Sequence, residues 1–143
     1  MILTTAGVTV EFDPALTHAY YQTHTVCDCC DDRNYQQFAK DRFPRLDRFL
    51  SQFGVDISRP DETASVYLDD RDAIQYLFAA YTVVGRITAP GRGTLALDGG
   101  ETPVEVSICN DYYPNEQTGE YFTIVATGIV LPWLLDGEYP DKH

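Results

Sequence analysis

Positive charge is scarce in this chain: ten lysines and arginines stand against twenty-two aspartates and glutamates, a formal balance of −12. Such a surface repels the phosphates of nucleic acid and of anionic lipid, so neither nucleic acid nor membrane is expected as a partner. No apolar run reaches the length of a membrane span. The opening MILTTAGVTVEFD has neither a basic leader nor an apolar signal core, and a cytoplasmic protein is expected. Cysteine is also too sparse, four in 143 residues, for a disulfide scaffold. The chain has no phosphate loop, dinucleotide fingerprint or nucleophile elbow. The acidic run LDDRD at 68–72 lacks the glycine and terminal glutamate of a calcium loop and reads as a solvated turn.

What is present is enough for one domain over 1–143, because 44 % hydrophobic content in a chain of this length can bury a single core. VTVEF at 8–12 alternates as a strand does and ends at Asp13-Pro14, a turn signal. AYYQTHTV at 19–26, rich in aromatics and threonine, also reads as a strand, leading straight into the cysteines. The period then changes. Tyr35, Phe38, Ala39, Phe43, Leu46, Phe49, Leu50 and Phe53 recur every three or four residues, and Pro44 divides them into two helices, about 32–42 and 44–53, with Pro44 at the first position of the second.

Beyond the helices the chain returns to strand chemistry in SVYLD, AIQYLFAAYTVVGRI, TLAL, PVEVSI and EYFTIVATGIV. The run 73–85 fits a helix by periodicity, but its aromatic and β-branched content favours a strand buried on both faces. Asp98-Gly99-Gly100 signals a hairpin, and the segment around the only tryptophan, Trp133, reads as docked on the core. The expected fold is α+β: mostly antiparallel sheet, as a two-layer sandwich or curled sheet, with one helical pair near residues 32–53.

The stretch CDCCDDRNY at 27–35 is where the sequence looks most like chemistry. Cys27 and Cys30 form a CxxC whose two thiolates have the bite zinc needs, with Cys29 and His24 as further candidate ligands and Cys109 as a distant one. No second pair completes a zinc site, and the pleat expected for 19–26 points His24 away from Cys27. A CxxC between a strand and a helix N-terminus also suits a redox thiol, although Asp28, Asp31 and Asp32 disfavour the thiolate. The third reading is that the cysteines are small hydrophobes packed at a strand-to-helix corner. Residues 33–48 carry five cations against two acids, a solvated basic face or an anion site in a chain otherwise acidic.

Taken with FLSQFGVDISRPDE, the cysteine stretch resembles a family of small uncharacterised bacterial proteins. In that family a CxxC precedes an asparagine–aromatic pair, and a helix ends in a Gly-Val/Ile-Asp-x-x-Arg/Lys-Pro-x-Glu stretch. The matching positions are Cys27, Cys30, Asn34, Tyr35, Gly54, Asp56, Pro60 and Glu62. The resemblance covers about a third of the chain and implies a shared fold and a cysteine site; Cys29 and the insertion Asp31-Asp32-Arg33 depart from it. The functional expectation is an acidic binding or regulatory module that meets a protein partner, with zinc at the cysteines, and the alternative is a thiol-dependent redox enzyme or sensor using Cys27 and Cys30.

Overall fold

The structure, a computed structural model, describes residues 1–26, 29–91, 94–97, 104–110, 115, 117 and 119–140. Among these it contains three helices and eight strands. The strands are β1 (Ile2–Thr5), β2 (Val8–Phe12), β3 (Glu62–Leu68), β4 (Ala73–Ala89), β5 (Thr94–Leu97), β6 (Val104–Cys109), β7 (Tyr121–Thr127) and β8 (Ile129–Pro132). All pair antiparallel in one sheet, which does not close into a barrel. The α+β class and the helical pair are as expected. No helix among the described residues is long and apolar enough to cross a membrane.

Helix α1 (Pro14–Thr23) occupies ground that the sequence assigns to a strand at 19–26. Asp13-Pro14 turns out to be a helix start: Asp13 Oδ1 accepts from the amides of Ala15 and Leu16 at 3.0 and 3.1 Å, and Pro14 supplies the preset φ of the first turn. The cysteine stretch therefore joins helix to helix, not sheet to helix. Helix α2 (Cys30–Arg42) carries Asp31 and Asp32 in its first turn and Lys40 and Arg42 in its last, each complementing the helix dipole. Phe43 ends it, and Pro44 opens α3 (Pro44–Ser51), which buries Leu46, Phe49 and Leu50.

The 17-residue strand β4 organises the sheet. Along one edge it pairs first with β3 and then with β2; along the other, first with β8 and then with β7, beyond which lie β6 and β5. Its register against β3 slips between Ala64 and Ser65, where Ala64 faces Phe78 and Ser65 faces Tyr76, so Leu77 is an extra residue. That slip resets the alternation. Tyr76 and Tyr81, five positions apart, are both fully buried, while Leu77 is 50 % exposed. Burial on both faces, expected for the whole run, holds for residues 73–74 and 79–83.

Strand β1 has no counterpart in the sequence reading. It forms a two-residue hairpin with β2 through Ala6 and Gly7, both at positive φ, a turn that Ala-Gly advertises less clearly than Asn-Gly does. The expected strand EYFTIVATGIV is two strands, broken at Gly128 with φ 81°. The hairpin signal at 98–100 lies outside the described residues, although β5 and β6 do pair antiparallel across it. Trp133 is docked as expected, its indole N–H donating to the Gly137 carbonyl at 2.9 Å.

Candidate functional site

The first turn of α2 is bound to the sheet by the polar residues of the cysteine stretch. Asp31 Oδ2 accepts from Ser65 and Asp32 Oδ1 from Thr63, both at 2.5 Å, while the Tyr76 hydroxyl donates to the Asp31 carbonyl. Asn34, fully buried, uses both ends of its carboxamide: Nδ2 donates to the Pro132 carbonyl at 3.1 Å and Oδ1 accepts from the Leu134 amide at 2.9 Å. Its side chain thus replaces a neighbouring strand at the end of β8. A carboxamide has the donor and acceptor of a peptide group, which explains why asparagine sits here.

The same device appears at α1. Between Ala80, whose carbonyl is held by the Asp61 amide, and Val84, whose carbonyl is held by the Asp13 amide, β4 has no strand beside it on that edge. The Tyr21 hydroxyl fills the gap, accepting from the Thr82 amide at 2.7 Å and donating to the Thr82 carbonyl at 2.9 Å. One turn earlier, Thr17 Oγ1 accepts from the Val84 amide at 3.0 Å. Burial first, and then nearby Asp61, push the Tyr21 hydroxyl well above its ordinary value, so it remains a neutral donor.

Around this seam lies a second polar cluster. Asp61 accepts from the Tyr20 hydroxyl and, at 2.7 Å, from Thr82 Oγ1, which in turn accepts from Asn115. Burial raises the Asp61 carboxyl above its ordinary value, against the pull of hydrogen bonds from Tyr20 and Thr82 and of nearby His24. His24 is stacked on Tyr20 and meets Tyr21 edge-on, with Nε2 2.9 Å from the Arg59 carbonyl and Nδ1 buried without a partner among the described residues.

The sequence-derived ligands are therefore distributed as follows. His24 closes α1 and is 3 % exposed, Cys29 is exposed just before α2, and Cys30 is half-buried as its first residue, with Sγ 3.5 Å from Asp31 Oδ1. Cys27 lies outside the described residues. Cys109 ends β6, which β7 separates from β4. No pleat turns His24 from the cysteines, because it is the C-cap of a helix and not part of a strand. No group of three metal-capable side chains occurs among the described residues. LDDRD is the exposed β3–β4 turn that the sequence predicts.

A cavity of about 470 Å³ lies beside β8, beneath the last turn of α2. Phe43, Ala73, Leu131 and Pro132 make an apolar floor, and Arg42 and Arg71 stand at it from two separate elements. Among the described residues no strand pairs with the outer edge of β8 here. Trp133 donates its amide to the Asp72 carbonyl, so counting back along β8 turns the peptide groups of Leu131 and Ile129 toward β4 and those of Val130 away from it. Asn34 covers this edge at residues 132 and 134, and the cavity occupies the next position along. Sequence reasoning raised an anion site within 33–48 but did not connect Arg42 with Arg71, because the pairing depends on how α2 crosses β8.

No family model, curated protein or solved structure matches the chain.

Proposed function

We propose that the chain is a non-catalytic binding module of the cytoplasm and that the α2–β8 cavity is its ligand site. One observation carries this reading: apolar residues, two arginines and an outward-facing strand edge line one cavity of a size ordinary for small-ligand pockets. The test uses indole as a neutral probe in a two-dimensional NMR titration. Shifts concentrated at Phe43, Ala73 and residues 130–132 support the assignment; shifts concentrated around His24 and Asp61, or spread evenly, overturn it.

The resemblance to the small bacterial family belongs to the same reading. Asn34 and Tyr35 are fully buried, and Gly54, at φ 84°, has its Cβ direction 2.2 Å from the Pro14 carbonyl. Shared motif positions of this kind would express a shared scaffold. Zinc held by Cys27, Cys29 and Cys30 is the metal form of the proposal, with the unpartnered Nδ1 of His24 as the observation that favours it. Elemental analysis of protein purified without chelator, compared with its Cys30→Ser variant, decides that form. The second reading is a thiol-dependent redox protein using Cys27 and Cys30, favoured by Cys30 as the first residue of α2, at the helix end that attracts negative charge. It expects one thiol to react with a disulfide reagent far faster than the others, and uniform rates would sink it.

A further inference from the structure

Resting on the cavity as ligand site, we infer that its ligand is a monocarboxylate joined to an apolar body, with the carboxylate at Arg42 and the body over Phe43, Ala73 and Leu131. The global charge of −12 repels anions from most of this surface, so an acid gains a place only where cations are gathered. Arg42, within the basic stretch 33–48, lines this cavity, and Arg71 of the β3–β4 turn lines it too. Guanidinium groups match a carboxylate by presenting two parallel donors.

Two features restrict the charge to one. Asp70 stands with Arg71 at an adjoining hollow of about 350 Å³ lined also by Leu68, Gln75 and Val130. Asp69 and Asp72 share that turn. A dianion such as phosphate would meet this field twice over and gain nothing from the floor. The outward N–H and C=O of Val130 add a donor and an acceptor at the cavity wall, which an extended peptide ending in a carboxylate can pair with and a simple fatty acid cannot. The chemistry shared by both sources is the acid and its apolar body.

The experiment titrates the full chain, followed by NMR, with octanoate and 1-octanol, and with an acetylated Phe-Leu dipeptide as free acid and as amide. Octanoate or the dipeptide acid is expected to shift the amides of Phe43, Val130 and Leu131 at least 10-fold more tightly than its uncharged counterpart. Arg42→Gln, at an exposed position, is expected to weaken the acid at least 5-fold while leaving the alcohol unchanged. A movement of the Val130 amide with the peptide that exceeds the one with octanoate identifies a chain terminus; equal movement identifies a free acid. Equal affinity for acid and alcohol at these amides overturns the carboxylate inference and leaves the cavity assignment standing. No shift at these amides with any of the four, nor with indole, overturns both.

Discussion

Two helices meet this sheet in the same way and with opposite results. At α1 the phenol of Tyr21 and the hydroxyl of Thr17 complete the edge of β4 between β3 and β2, and the seam is sealed. At α2 the carboxamide of Asn34 completes only the far end of β8, and the next residue along, Val130, faces a cavity. A side chain can stand in for a strand, but for one peptide position at a time. The number of such side chains therefore decides whether a helix closes an edge or leaves a binding groove beside it.

Substitutions at four positions break or sharpen this contrast. Tyr21→Phe removes the hydroxyl that pairs with both the amide and the carbonyl of Thr82, at about 1–3 kcal/mol for each group, so a loss of about 2–6 kcal/mol is expected in chemical denaturation. Asn34→Ala strands the Pro132 carbonyl and the Leu134 amide in the same manner. Water reaching them from the neighbouring cavity should hold the loss to about 1–3 kcal/mol, and a loss larger than that of Tyr21→Phe would reverse the ranking of the two seams. Thr17→Val deprives the Val84 amide of its acceptor and should cost about 1–2 kcal/mol, with Thr17→Ser close to the parent.

The smallest effect concerns pH. Because burial raises the Asp61 carboxyl, the folded chain keeps a proton there just above the ordinary value of 3.8, where the unfolded chain has released it. Stability from this group is thus fullest below 3.8 and falls as pH rises through the raised value. Asp61→Asn abolishes that fall, so the difference between variant and parent should move in the variant's favour as pH rises above the ordinary carboxyl value of 3.8. A parallel pair of profiles would show that Asp61 titrates alike in both states.

Apart from β1 and the break at Gly128, the strands and the two later helices were legible because each is written locally. Pro44 marks the break between α2 and α3, and the β-branched run of β4 outweighs its helical period. The first helix was not legible from propensity, since Tyr20, Tyr21 and Thr23 are strand formers that α1 uses for contacts with β4. Its signal lay in Asp13-Pro14, which serves equally as turn or as cap and first turn. In the cysteine stretch, the side chains that tie the start of α2 to the sheet include Asp31, Asp32 and Asn34, which no cysteine spacing announces. Long-range pairings such as Asn34 with residues 132 and 134 leave no periodic trace, and neither does the meeting of Arg42 with Arg71.

Tyr21 also gives the backbone a built-in clock. The amide of Thr82 sits mid-way along the central strand, but what shields its proton is a phenol contributed by another element. Whenever α1 lifts away, that one hydrogen meets solvent while the ladders on either side stay closed. Its deuterium uptake, set against that of Ala80 or Val83, would time the departures of a helix from a sheet that remains intact.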